Sequence, residues 1–361
     1  MRRSRLLSRE SLSTLFAFIA PAWSPGLLFL SAFIVLVVPS LAEAQWVIDG
    51  RALCTAGNSQ VSPAIISDGA GGAIVTWQDI RSGNNFDIYA QRVLASGAVD
   101  PAWPVDGLAL CTAADYQQQP SIISDGSGGA IVAWIDLRSG MGDYDIYAQH
   151  VLASGAVDPA WPVNGRALTT AANHQTDISM ISDGDGGAFV AWLDIRSGTS
   201  DIYAQHVLST GAVDPAWPIN GLALCTADDV QSQPVIVSDA SDGAIVAWTD
   251  FRSGSKFRCD IYAQHVLASG AVDPAWPYDG SSLCPEAEAN GSTIGAAADG
   301  AGGAFVVWTD TRDDDGDIYA QHVLSGGGLG SALDGYAVCT AFVGQYDPKI
   351  IANGTGGVIV T

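Results

Sequence analysis

Past its first few dozen residues the chain has no long apolar run, almost no glutamate and few basic side chains. Each shortage excludes something. With 15 Lys and Arg against 38 Asp and Glu, the formal net charge is −23. Such a field repels nucleic acid and anionic lipid, and it favours cations and solubility. Beyond residue 44 the acids are all Asp except Glu286 and Glu288. Asp favours turns over helices, and the 41 Gly agree with a turn-rich chain. Period-3.6 patterning is missing, which argues against helical repeats. No Ser/His/Asp elbow, zinc motif or phosphate-binding glycine loop is visible.

The one apolar run, Leu27–Val38 (LLFLSAFIVLVV), follows the basic residues Arg2, Arg3, Arg5 and Arg9. It is short for a spanning helix, and Ala42-Glu43-Ala44 reads as a cleavage site. Residues 1–44 are therefore expected to be an export signal, with no membrane span after its removal. Residues 45–361 would form a secreted or cell-surface domain. The cysteines do not suggest a disulfide framework. Cys54, Cys111, Cys225, Cys284 and Cys339 hold one place in successive repeats, with Thr169 in the remaining copy. Equivalent points on neighbouring repeats lie too far apart for a bond that needs Cα atoms within roughly 7 Å. They read as small buried side chains, and Cys259 stands outside the pattern.

What the chain does have is repetition. DIYAQHVLASGAVDPAWP occupies Asp145–Pro162 and again Asp260–Pro277, with near copies from Asp87 and Asp201. Each unit of about 57 residues holds four strand-like runs. In the second copy these are Ser121–Ser124, Ala130–Asp136, Asp145–Leu152 and the preceding Leu108–Thr112, separated by turn signals such as SDGSGG. The expected fold is all-β: a propeller of about six four-stranded blades, the last one truncated. Trp46–Ala56 reads as an outer strand standing alone at the start. In DIYAQHV, alternation puts Ile, Ala and His on one face and Tyr, Gln and Val on the other. Both faces of a blade pack on neighbours, so sameness across copies reads as architecture.

Candidate chemistry begins with W-x-D-x-R, whose three side chains share one strand face. It occurs as Trp77/Asp79/Arg81, Trp134/Asp136/Arg138, Trp192/Asp194/Arg196, Trp248/Asp250/Arg252 and Trp308/Asp310/Arg312. A guanidinium beside a carboxylate and an indole can form an inter-blade lock through ion pairing and cation–π contact. The same residues suit a repeated sugar site, because Trp stacks on pyranose faces while Asp and Arg bind hydroxyls. His150, His206, His265 and His322 share a repeat position and read as packing or surface residues. The Trp of DPAWP (Trp103, Trp161, Trp217, Trp276) is either a cover for a blade edge or a stacking platform.

Variation concentrates in the segment entering each first strand and in the turn after W-x-D-x-R. In an up-and-down blade these lie on one face, where asymmetric function belongs. The fifth copy departs furthest. Asp313, Asp315 and Asp317 with Glu286 and Glu288 form a carboxylate group suited to Ca²⁺, although a solvated acidic loop is the alternative and the spacing matches no standard calcium loop.

The segment DGSGGAIVAWIDLRSGMGDYDIYAQHV resembles a repeat of exported bacterial β-propeller proteins, largely uncharacterised. The resemblance extends over nearly all of residues 46–361, and more distantly to sialidase-like propellers. It implies fold and export. A sialidase would need an arginine cluster, a Tyr nucleophile with a Glu partner and a separate acid. Here Arg and Tyr fall at blade-equivalent places and the two Glu share one loop. The expected function is a non-catalytic binding or scaffold protein with a protein or glycan partner. A multivalent lectin is the alternative, and a sialidase-like glycan hydrolase ranks third.

Overall fold

The computed structural model describes residues 49–253, 259–285, 293–312, 316–330 and 333–361. The predicted signal segment, Trp46, and Glu286, Glu288, Asp313 and Asp315 lie outside the described residues. Among the described residues there is no helix, and none long and apolar enough to cross a membrane.

The first blade is β1 (Gln60–Ser67), β2 (Ala73–Asp79), β3 (Asp87–Val93) and β4 (Leu108–Cys111), paired in that order. The second repeats it with β5 (Gln117–Ser124), β6 (Ala130–Asp136), β7 (Asp145–Val151) and β8 (Arg166–Thr169). The third comprises β9 (Gln175–Ser182), β10 (Ala188–Asp194), β11 (Asp201–Val207) and β12 (Leu222–Cys225). In the fourth, β13 (Gln231–Ser238), β14 (Ala244–Asp250) and β15 (Asp260–Leu267) carry two short partners of β15, β16 (Ala271–Val272) and β17 (Ser281–Ser282). The fifth is β18 (Ile294–Ala298), β19 (Ala304–Asp310), β20 (Asp317–Val323) and β21 (Tyr336–Cys339). A hairpin of β22 (Ile350–Ala352) and β23 (Val358–Val360) begins a sixth sheet. All pairings are antiparallel, as expected for a β-propeller.

Two details differ from the sequence reading. The innermost strand of the second blade starts at Gln117, four residues before the expected Ser121, because a bulge carries the ladder through Pro120. Register shifts between Gln118 and Ser121, and Gln119 sits at φ 53°. Proline cannot donate to the ladder, and the bulge removes the need. Asp49–Ala56, expected as an outer strand, forms none; Cys54 instead reaches the first blade, 3.4 Å from an Arg81 nitrogen.

The hydrophobic core lies between blades. Ile74, Ile88, Trp103 and Leu110 of the first blade pack with Ile122, Val132 and Trp134 of the second. Three similar clusters join the later pairs. Each sheet therefore buries both faces, which is why β6 and β10 are buried at every position. The DPAWP indoles belong to this packing. Trp103, Trp161, Trp217 and Trp276 are 3–4% exposed, and Trp161 donates to Ser209 O on the next blade at 3.1 Å. They cover blade edges and offer no open stacking surface.

One glycine shows how tight the frame is. Gly165 stands at φ +94°, and a Cβ there would lie 2.6 Å from Trp134 Cη2 and 3.0 Å from Ala148 O. Positive φ and the indole both exclude a side chain. Gly165→Ala should lower the thermal midpoint by several degrees, a loss of about 2 kcal/mol. An unchanged melting curve would show that the Trp134 ring can move aside.

Candidate functional site: a polar cleft on the first blade

The W-x-D-x-R sets share one plan, followed in full by four blades and in part by the first, where Arg81 Nε has no partner. In the second blade Trp134 Nε1 donates to Asp136 Oδ2 at 2.8 Å, and Arg138 donates to both Asp136 oxygens. The Arg138 guanidinium lies 3.8 Å over the Tyr147 ring, and it reaches Asn164 O and Cys111 Sγ. Cys111 belongs to β4 of the preceding blade. Ring and carboxylate are thus locked within one sheet, and the sulfur contact ties that sheet to its neighbour. Trp134, Trp192, Trp248 and Trp308 are 0% exposed and Trp77 4%, as are Asp79, Asp136, Asp194 and Asp250 at 0% and Asp310 at 1%. The Arg81, Arg138, Arg196, Arg252 and Arg312 side chains keep roughly a fifth of their surface, on the face of the variable loops.

Cysteine chemistry is closed off by the same packing. Burial pushes the Cys111, Cys225 and Cys284 thiols up to about 12, with only partial relief from hydrogen bonds. A thiol kept protonated is a poor nucleophile. In native protein these three should resist iodoacetamide at pH 8 for hours, while Cys54 and Cys339, which are partly exposed, react first. Peptide mass mapping would check the order.

The histidines do more than the sequence suggested. His150 bridges two carboxylates, Asp158 at 2.8 Å and Asp125 at 3.0 Å. Asp125 also accepts the Ser127 and Gly129 N–H groups of the SDGSGG turn. His206 and His265 repeat the bridge. In the first blade Arg92 takes the role, pairing with Asp68 at 2.8 Å. Around His206, burial acts to lower the pKa, but Asp183 and Asp214 outweigh it and the net shift is upward. The SDG aspartate recurring with the histidine was the sequence signal for this clasp. Of the proposed calcium group, Asp317 is 8% exposed and directly opposite Asp310 on the β19–β20 ladder. Its four expected partners lie outside the described residues.

At the carboxyl end of β2, Asp79 faces Asp87 at the start of β3. Every blade repeats this pairing of aspartates. In the second and third blades a serine completes it: Ser139 donates to Asp145, and Ser197 to Asp201 at 2.7 Å. The first blade departs from this pattern. Its turn is Ser82-Gly83-Asn84-Asn85, and the Ser82 hydroxyl bonds to Asn85 O at 3.2 Å. Asn85 in turn spans to Ala113 O at 3.3 Å and to Asp115 O, in the segment entering the next blade. Asp87, only 5% exposed, is left without a hydrogen bond to its carboxyl among the described residues.

The result is an open cleft of about 540 Å³ lined by Arg81, Asn85, Asp87, Tyr89 and Thr112. Burial, then the charge of Asp79, raises the Asp87 pKa to about 6, with Arg81 opposing. Burial acts on Asp79 too, but bonds from Arg81 and Trp77 outweigh it and hold that carboxyl low. Arg81 stacks 3.7 Å over Tyr89 and bonds Asp79 through one terminal nitrogen. Its Nε has no partner, whereas Arg138, Arg196, Arg252 and Arg312 each use Nε on their aspartate. Arg81 and Asp79 stand out in the sequence and Asp87 does not, because DIYAQ recurs with little change in every copy. The Asn85 turn, which differs, was the readable signal.

No family model matches the chain, and no curated protein matches it. Solved structures do. An alpha-L-arabinanase of Penicillium chrysogenum, complexed with arabinobiose, aligns at a TM-score of 0.51 with 10% identity over 82% of this chain and 86% of that one. An alpha-L-arabinofuranosidase of Fusarium graminearum with arabinobiose aligns at 0.45 and 10% identity over 82% and 90%. The β-propeller domain of the Trilobed protease from Pyrococcus furiosus aligns at 0.45 and 9% identity over 81% and 75%. At such identity the likeness shows the fold. It also corrects the expectation of a non-catalytic scaffold. That reading held repetition of the blade frame to argue against a catalytic centre, yet the propellers this chain is similar to include glycan hydrolases.

Proposed function

We propose that the protein recognises a glycan in the first-blade cleft, on the face of the variable loops. The observation that carries the reading is Asp87, whose carboxyl has no hydrogen-bond partner among the described residues and opens into the cleft beside the Arg81 guanidinium. A carboxyl with a raised pKa and unpaired oxygens facing a cleft is the kind of group that a ligand hydroxyl can engage. Hydroxyl groups fit, since each can donate to a carboxylate and accept from a guanidinium. Arabinobiose binding by the Penicillium propeller supports the same ligand class. The basic and apolar start of the chain supports export, where such a glycan would be met.

A second reading, cleavage of a glycosidic bond in that cleft, is favoured by the Asp87 pKa of about 6. A carboxyl raised to that value can act as general acid on the leaving oxygen. Asp79, ionised and held by Trp77 and Arg81, would stabilise positive charge developing on the sugar ring. The experiment is an oligosaccharide panel including arabinotriose, scored for binding by calorimetry and for reducing ends released. Asp87→Asn should weaken binding at least tenfold and abolish any release, with a cooperative melting curve whose midpoint is not lowered. Binding unaffected by Asp87→Asn would remove the cleft from the account.

A further inference from the structure

The first blade differs from its neighbours by one diverted hydroxyl, and the diversion determines what the cleft can hold. In the second and third blades the serine after the arginine bonds the second aspartate. The fourth blade keeps the bond through Ser253 and Asp260. In the first, Ser82 turns to Asn85, and Asn85 is anchored across the blade junction by its bonds to Ala113 and Asp115. Asp87 is thereby left as an open acceptor. Arg81 directs a single nitrogen, Nη2, to Asp79, Cys54 and the Asp106 carbonyl, and among the described residues Nη1 has no hydrogen-bond partner. One acceptor and one planar donor thus line the same cleft.

We infer that the cleft is a subsite for a vicinal diol on an uncharged sugar, opened by Asn85 as the residue that draws Ser82 away from Asp87. This rests on the glycan reading above and names its substrate class. Two adjacent hydroxyls match the pair, one donating to Asp87 and the other accepting from Arg81. A uronic acid does not match. Its carboxylate would meet Asp87 and Asp79 in a cleft with a single cation, inside a chain of net charge −23. Like charges so placed select against the wrong ligand more strongly than the diol contacts select for the right one. Asn85 is a positioning residue: it acts through Ser82 on the availability of Asp87.

The test uses the full chain and calorimetry at pH 7.5 with arabinotriose, xylotriose and trigalacturonate. The expected result is binding of a neutral trisaccharide at least tenfold tighter than trigalacturonate. Asn85→Ala should weaken neutral binding at least fivefold: without the Nδ2 anchors to Ala113 and Asp115 the turn that holds the Asn85 carbonyl against Ser82 relaxes, and Ser82 can cap Asp87 as its counterparts do. The double variant Asn85→Ala/Ser82→Ala should regain affinity, a rescue that a general loss of structure would not produce. Melting curves recorded beside each titration identify any variant that fails to fold, and Ser82→Ala alone, expected to bind as the parent does, serves as the second variant. Tighter binding of trigalacturonate, or a double variant as weak as Asn85→Ala, would overturn the diol subsite and leave the broader glycan reading standing. Absence of binding to all three sugars and to the wider oligosaccharide panel would overturn both.

Discussion

Asp136→Ala should destabilise the protein by about 3–5 kcal/mol, the largest effect expected of any single substitution in the blade frame. The carboxylate is 0% exposed and accepts from the Trp134 indole and twice from the Arg138 side chain. Removing it leaves a guanidinium half-enclosed by Tyr147, Cys111 and the Asn164 carbonyl with no counter-charge. It also leaves an indole N–H buried without an acceptor, a further cost of about 1–3 kcal/mol if nothing relaxes. The loss should appear as a fall in thermal midpoint and as easier chemical denaturation. Trp134→Phe keeps the ion pair and should cost less than Asp136→Ala. If Asp136→Ala melted like the parent while losing sugar binding, W-x-D-x-R would be a ligand site and not a lock. Because the motif recurs, the same change at Asp194 or Asp250 should cost a similar amount.

The second large effect is in pH. Asp145 is 0% exposed, its Oδ1 has no partner, and burial, with Asp143 and Asp136 adding to it, raises its pKa from 3.8 to about 6. The Ser139 bond and Arg138 oppose the shift without cancelling it. Asp87 is raised to about 6 as well, and Asp201 and Asp260 shift in the same direction. A raised carboxyl binds its proton more tightly folded than unfolded. The native state is therefore favoured most below pH 3.8, and that advantage is lost as pH climbs through about 6. Asp79, Asp183, Asp239 and Asp299 shift downward, so their contribution is present above pH 3.8 and is lost as pH falls further. Together the two sets place maximum stability in mildly acidic solution, between about pH 4 and 5. Asp145→Asn should stabilise the protein at pH 7.5 by about 2 kcal/mol and have little effect at pH 3.5. Denaturant titrations at both pH values would check it, and a gain of equal size at each would remove titration as the cause.

Much of this molecule was legible in its letters. The period near 57, the alternation in DIYAQHV and the SDGSGG turns led to four-stranded antiparallel blades. Ala130–Asp136 matches β6 to the residue. Position-matched cysteines led to buried thiols at Cys111, Cys225 and Cys284, because repeats translate equivalent residues to equivalent places, whereas Cys54 and Cys339 are only partly buried. The inner strand began earlier than expected, since a bulge at a left-handed residue is invisible to an alternation count. The histidine clasp was missed because its three members lie 25 and 8 residues apart and meet only when the hairpin and the following connection fold back on one sheet end.

The candidate site marks where the sequence by itself stops. Repetition determined the architecture, since each copy buries both faces against the next and the same side chains must recur. It could not indicate that in the first copy the serine after the arginine turns away from the second aspartate. That was decided in three dimensions, by whether the turn after each arginine returns its serine to the aspartate or, as at Asn85, takes it elsewhere. A hydroxyl rotated through a few ångströms is a small change in sequence space. At the sheet end it separates an aspartate capped by its serine from one left open to the cleft.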